Sequence, residues 1–282
     1  MDSIAGMAVQ NGGPIENANR LLRGVEDNFG GVNITTCGEW WTSAEDFCQQ
    51  LEASVEHWKS MQKRGIWLKI PIQESELIPE AVKHEFVFHH AQPSYVMMVR
   101  WLPSDEPNQL PGYATNYIGV AGFVTNTKNQ ILVIKEKYSH GKKAMWKLPG
   151  GHSDVGEDLA VTAKREVLEE TGIEAEFVSI LCFRHQHEYR FGQSDIYFVC
   201  HMKALTSEIK ACPYEIEECK WMDLDEYLAN SGAPEFNKKI VRCYLQSQEG
   251  DPKRSIQPDQ LWSSFKNVHH LLYSIHADGK PD

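Results

Sequence analysis

Glu166, Glu169 and Glu170 stand three and four residues apart in a stretch, Glu157 to Thr171, that holds neither proline nor glycine and is rich in helix formers. On a helix this spacing puts the three carboxylates on one contiguous face, where like charges repel. Water, a shared proton or a cation has to relieve them. Clustered carboxylate oxygens suit hard divalent ions, Mg²⁺ or Mn²⁺, which keep several waters and take their remaining ligands from substrate phosphates. The chemistry indicated is cleavage of a phosphate linkage. Three glutamates alone more often mark a solvated helix face, so the weight falls on the residues around them.

Those residues begin with Pro149, Gly150 and Gly151, which suit a backbone that turns sharply or approaches a ligand closely. Asp154 lies upstream, acids occupy the first turn and Gly172 supplies the stop, so the pattern predicts a helix over 157–171. Ala160, Ala163 and Val167 recur at helical spacing on the side that must face a core.

Read as a string, Gly151 is followed after five residues by Glu157, after seven more by Arg165-Glu166, then Val167, Leu168, Glu169-Glu170, Thr171, Gly172 and Ile173. This resembles the Nudix box at every specified position, and the chain is identified as resembling the Nudix hydrolase family. The resemblance implies that Glu166, Glu169 and Glu170 are metal ligands and that Arg165 orients a glutamate. Gly150 or Gly151 would offer a backbone ligand, while Gly151, Glu157 and Gly172 keep the loop and helix in shape. The implied reaction is metal-assisted attack of water on a phosphorus of a nucleoside diphosphate linked to another group, with Glu169 as the expected proton acceptor. Among Glu215, Glu217 and Glu218, Glu215 is the candidate for the extra glutamate that such enzymes often carry before a later strand; a solvated acidic turn is the ordinary alternative.

The elements that must position these groups fall into two parts. A chain of 282 residues is long enough for two ordinary cores. Residues 1–28 form an N-terminal segment, expected to be flexible, with one short helix around Glu16 to Val25. From 29 to 102 a small α/β domain is predicted. It has a β-prone run at Gly30 to Thr36, a helix capped by Ser43 with Phe47, Leu51, Val55 and Trp58 on one face, and a strand from Gly65 to Pro71. A helix over Glu74 to Glu85 and strands at Phe86 to His90 and Tyr95 to Leu102 complete it. Its Phe29-Gly30-Gly31-Val32, Gly65-Ile66-Trp67-Leu68-Lys69-Ile70-Pro71 and Phe88-His89-His90-Ala91 resemble the pre-Nudix domain of a two-domain branch. That branch includes plant ADP-ribose and NADH pyrophosphatases and the animal antisense basic fibroblast growth factor protein. Adjacent strand residues point to opposite faces, so His89-His90 reads as packing rather than as a metal pair.

Prolines 103, 107 and 111 with Gly112 mark a linker over 103–116. The Nudix domain is expected over 117–250: strands at Tyr117 to Asn126, Gln130 to Lys137, Ala175 to Arg184, Ser194 to Met202 and Cys219 to Met222, then helices at Asp225 to Ala229 and Glu235 to Leu245. The fold class is thus α/β, a mixed sheet sandwiched between helices after a smaller α/β domain. A tail, 251–282, has an aromatic-rich stretch that reads as docking rather than catalysis.

Two segments are candidate substrate readers. Lys135, Lys137, His140, Lys142, Lys143 and Lys147 form a basic cluster upstream of the helix, with Lys135 and Lys147 as the candidates to face phosphate. Between two strands, 185–192 is expected to be a loop whose Tyr189 and Phe191 could stack a base, although aromatics anchor ordinary surface loops equally often.

With 39 acids against 28 bases the formal charge is −11, which disfavours a general nucleic-acid or anionic-membrane partner and favours a small nucleotide substrate. Seven cysteines without a Cys-x-x-Cys pair give neither a disulfide framework nor a zinc site. No apolar run reaches a membrane span, and the start does not read as a signal peptide. A cytoplasmic protein is expected, with nucleus and mitochondrion open and a homodimer admitted. The branch resemblance favours ADP-ribose, NADH or a similar dinucleotide. A binding module with little turnover, or hydrolysis of diadenosine polyphosphate, coenzyme A or capped RNA, stays as the alternative.

Overall fold

The computed structural model describes residues 21–37, 41–138, 144–249, 254–263 and 268–277. It divides into two units, Met1–Ala114 and Thr115–Asp282.

In the first unit β1 (Gly24–Glu26), β2 (Val32–Thr35), α1 (Ala44–Ser60), β3 (Gly65–Pro71), a 3-10 turn (Ile72–Leu77), α2 (Ile78–Lys83), β4 (Val87–Gln92) and β5 (Tyr95–Trp101) follow in order. Ile66, Leu68 and Ile70 alternate inward along β3 and meet Phe47, Leu51, Val55 and Trp58 of α1, the stripe expected from helical spacing. The Ser43 side chain accepts from the Asp46 N–H and starts that helix. The sheet runs β1-β2-β3-β5-β4, with β2 and β3 parallel on either side of α1.

Three local expectations change here. The single helix over 74–85 is a 3-10 turn followed by a short α2, because Pro79 has no N–H to continue a helix begun upstream. The chain at Gly24–Glu26 is a strand, where a helix over 16–25 was expected; residues up to 20 lie outside the described ones. The two histidines do not point apart. A register shift between Phe88 and His90 brings their Nδ1 atoms within 2.7 Å, and His90 stacks on the Tyr113 ring at 4.5 Å.

The second unit contains β6 (Asn116–Thr125), β7 (Gln130–Glu136), β8 (Gly150–His152), α3 (Leu159–Thr171), β9 (Ala175–Arg190), β10 (Gln193–Ala204), β11 (Ile216–Asp223), α4 (Leu224–Ala229), α5 (Glu235–Ser247), β12 (Arg254–Ser263) and β13 (Val268–Ala277). Its sheet runs β11-β7-β6-β10-β9-β12-β13 with β8 against β6, and β6 and β10 are parallel in an otherwise antiparallel arrangement. Alternation along β6 feeds two cores. Val120 and Val124 pack with Ala163 and Val167 of α3, while Ala121 and Phe123 pack with Ile240, Val241 and Tyr244 of α5 and Leu224 and Tyr227 of α4. The mixed sheet between helices is therefore present.

Two differences concern the far side of this sheet. Residues 185–192, expected as a loop, are mostly strand: β9 runs to Arg190 and turns into β10 through Phe191 and Gly192, both at positive φ. The tail adds a hairpin, β12 and β13, that joins β9 through Ile256 and Ile180.

Candidate active site

α3 starts two residues later than expected and ends at Gly172, whose φ of +71° lets its N–H return to the Leu168 carbonyl at 2.8 Å. Val167 and Ala163 are fully buried, which fixes the helix against β6 and turns its glutamates toward the glycine loop.

That loop is pressed onto two of the carboxylates. Gly150 has φ +155°, and a Cβ there would lie 2.2 Å from the Val120 carbonyl oxygen, so only glycine fits. Its N–H donates to Glu170 Oε2 at 2.7 Å. A Cβ on Gly151 would stand 2.5 Å from Glu166 Oε1. Glu166 can swing aside, so Gly151→Ala is expected to fold with a near-parental Tm yet lose about 10²-fold in kcat/KM through a displaced carboxylate. Thermal unfolding beside steady-state kinetics checks both halves, and an unchanged kcat/KM would contradict the tight fit.

Arg165 is the hub of the network. Its Nε and Nη2 donate to the two oxygens of Glu157 at 2.9 and 2.8 Å, and Nη1 donates to Glu166 at 2.8 Å and Glu169 at 3.3 Å. Nη2 also reaches the His152 carbonyl at 3.1 Å. Glu157 accepts in addition from Thr162 Oγ1 and the Asp154 N–H. Hydrogen bonding from Arg165 pulls its carboxyl down to about 2, so it stays charged and ties the loop to the helix.

The other carboxyls differ by burial. Desolvation raises Glu166; Arg165 opposes the rise, and the charges of Glu169 and Glu215 add to it. Glu170 is 5% exposed. Burial pushes it up to about 7 against the pull of Lys147 and the Gly150 N–H. The Glu169 side chain is 59% exposed at the edge of the group.

This donor set fits a hard divalent cation: crowded carboxylates, two of them desolvated, beside backbone that no side chain can enter. Among the described residues no three His, Cys, Asp or Glu side chains already form a ligating cluster. Arg165 holds Glu166 and Glu169, while Glu170 turns to Gly150.

The remaining sequence candidates divide. Glu215 is exposed, its carbonyl accepts from the Lys137 N–H, and its charge reaches Glu166. Lys147 pairs with Glu136 and acts on Glu170. Lys135 pairs with Glu218 at 2.8 Å and lies over the Trp146 ring, and Lys137 donates to the Pro213 carbonyl. His140, Lys142 and Lys143 lie outside the described residues. Phe191 is 94% exposed at the hairpin turn, away from the glycine loop's ring contacts. Tyr189 joins them: its ring is 6.0 Å from His152 and 6.1 Å from Tyr117, and those two are 5.8 Å apart. His152 and Tyr117 were missed from sequence. The signal for His152 was its place directly after the glycine pair.

A Nudix hydrolase domain model matches residues 22–102, and a NUDIX domain model matches 115–244. Nudix hydrolase 2 of Arabidopsis thaliana is 40% identical over 91% of this chain and 94% of its own length. Nudix hydrolase 8 of the same plant is 37% identical over 93% and 71%. Nucleoside diphosphate-linked moiety X motif 6 of Mus musculus is 36% identical over 89% and 82%. With both parts of the chain matched and such relatives along nearly all of it, the chain belongs to the Nudix hydrolase family as a pyrophosphohydrolase.

Proposed function

We propose that the substrate is ADP-ribose, NADH or a similar dinucleotide and that hydrolysis of its diphosphate depends on Mg²⁺ or Mn²⁺. The observation that carries the metal is Glu170, buried, raised to about 7 and surrounded by further carboxylates with glycine backbone packed against them. The substrate class rests on the two-domain branch resemblance.

Glu166, Glu169 and Glu170 would hold the cation, with the Gly150 carbonyl and Glu215 as further oxygens. Bound there, such a cation polarises a phosphate oxygen and lowers the pKa of water. Arg165 keeps Glu166 and Glu169 in place and, through Glu157, anchors them to the loop. Glu169, the exposed member, takes the proton as the water oxygen bonds to phosphorus and the bridging P–O bond breaks, giving a monophosphate and the other phosphate half. Tyr189 with Tyr117 and His152 offers ring surface to a base. Lys147, and more remotely Lys135, supply positive charge for phosphate. The site is read as cytoplasmic, in keeping with seven free cysteines. No described helix is long and apolar enough to cross a membrane.

The test is hydrolysis by the purified chain of ADP-ribose, NADH, diadenosine polyphosphates, coenzyme A and capped RNA, with Mg²⁺ or Mn²⁺, beside a Glu169→Gln, Glu170→Gln control. Metal-dependent turnover of ADP-ribose or NADH, lost in the control, is the expected result. Turnover confined to another compound would reassign the substrate, and none above the control on the whole panel would leave a binding module.

A further inference from the structure

The turn before β11 carries a ring that the fold does not use. Tyr214 is 80% exposed, and among the described residues it has neither a hydrogen-bond nor a ring partner. Exposed aromatics are ordinary on loose loops, but this one stands on a turn that is fastened to its surroundings. The Cys212 N–H donates to the Glu170 carbonyl at 2.9 Å and the Lys210 N–H to the Thr171 carbonyl at 2.8 Å, so the segment closes the C-terminal end of α3. The Ile216 N–H returns to the Cys212 carbonyl at 3.1 Å. From β7 the Lys137 N–H donates to the Glu215 carbonyl at 2.9 Å, and the Lys137 ammonium reaches the Pro213 carbonyl. Residues 212–216 therefore hold one shape, with Tyr214 at the tip.

This mount stands at the box. Tyr214 is two residues from Cys212, which is bonded to the main chain of Glu170, and its neighbour Glu215 acts on Glu166 through its charge. The ladder beneath the turn places it on the face that α3 covers. Ile134 pairs with Cys219 and Glu136 with Ile216, and residues two apart on a strand share a face. Cys219 packs with Ala163 and Val167 of α3, and Glu136 pairs with Lys147 and acts on Glu170. Beyond the bond between Lys137 and Glu215 the two antiparallel chains run on in the same direction. There β7 gives way to a second ring, Tyr138, which is 75% exposed and also lacks a partner among the described residues. Aromatic rings stack on any base, and a ring already held in place loses little freedom when it does so.

We propose that Tyr214, with Tyr138 at the same end of the ladder, is a substrate-binding residue whose ring stacks on a base of the nucleotide while the diphosphate lies at the box carboxylates. This rests on the diphosphate-hydrolase reading and adds to it a ring contact on the β7 side of the glycine loop. Lys147 pairs with Ile134 of β7 and Gly150 with Ala121 of β6, so that loop separates this contact from the Tyr117 ring on β6. Cys212 and Lys137 act through the turn and are positioning residues.

The test uses the full chain with Tyr214→Ser, Tyr214→Phe and the double variant Tyr138→Ser, Tyr214→Ser, which removes a ring able to substitute for the first. Binding of ADP and of inorganic pyrophosphate is measured by calorimetry with Mg²⁺ in a Glu169→Gln background, so that bound ligand is not consumed. KM and kcat on ADP-ribose are measured with Glu169 in place. Expected in the double variant are a loss of ADP affinity of about tenfold or more, the usual worth of one stacked base, and pyrophosphate affinity within about twofold. KM should rise to match while kcat stays within about threefold, and Tyr214→Phe should keep parental ADP affinity because it keeps the ring. Both side chains are exposed, so Tm should stay within about 2 °C of the parent. Parental ADP affinity in the folded double variant would overturn the assignment. An equal loss for pyrophosphate would also overturn it, by making the turn a support of the carboxylates rather than a ring contact. If the parent turned over no diphosphate, the functional reading would fall while the comparison of ADP with pyrophosphate still decided the role of Tyr214.

Discussion

Glu169→Gln is expected to lower metal-dependent turnover by about 10²–10⁴-fold, the usual worth of a positioned proton acceptor. The reason lies in the asymmetry of the three box carboxyls. Glu170 is buried against Gly150 and Glu166 is held by Arg165 at 2.8 Å, whereas Glu169 has only the longer 3.3 Å bond to Arg165 and an exposed side chain. It is the member free to meet an attacking water. Because it is exposed, its amide should alter stability by no more than about 0.5 kcal/mol, and Tm serves as the control for folding. A kcat profile against pH separates proton transfer from metal holding. If Glu169 is the acceptor, the variant loses the acidic limb of the profile, and added Mn²⁺ does not restore it. A variant within tenfold of the parent at every pH would remove Glu169 from that role.

Glu170→Gln should have the opposite signature, a dead enzyme that is more stable than its parent. The folded carboxyl titrates at about 7 against an ordinary 4.5. Between those values the folded state binds the proton that the unfolded state has lost, so metal-free stability falls as pH rises from 4.5 to 7 and stays lowered above it. The gap corresponds to about 3 kcal/mol at pH 8. Glutamine keeps an oxygen for the Gly150 N–H and carries no charge, so the metal-free variant should gain most of that amount in denaturant unfolding. His201 works in the same window with the opposite sign. It is 8% exposed, and burial holds it down at about 4 from 6.5, so its contribution to stability is lost as pH falls from 6.5 to 4. The two slopes offset each other in the parent. In Glu170→Gln one of the slopes opposing the histidine is removed, so stability should rise more from pH 4 to 6.5 than it does in the parent. Mg²⁺ or Mn²⁺ should stabilise the parent at pH 8 much more than the variant. A variant less stable than the parent at pH 8 without metal would mean that the buried charge is already compensated.

What was readable from sequence followed from short range. α3 with its glycine stop, the apolar stripe of α1 and the inward alternation of β3 are periodic features in which neighbours within four residues decide the outcome. The box was readable for the same reason, since its carboxylates, arginine and glycines lie within one loop and one helix. Where proline intervened, at position 79, the helix was overextended although the signal was present. The rest depended on which strand lay beside which. The bulge that brings His89 and His90 together, the extension of β9 through residues expected as a loop and the addition of β12 to its edge are set by cross-strand pairing. No local pattern encodes those choices.

The same division runs through the site. Sequence by itself determined which residues crowd negative charge next to a glycine backbone, because spacing on one helix fixes their common face. Tertiary structure decided how that charge is distributed. Burial under the sheet made Glu170 hard to ionise, and the packing of Arg165 against Glu157 left Glu169 outermost. It also placed Tyr117, His152 and Tyr189 in contact, since residues far apart in the chain meet only when the strands have paired.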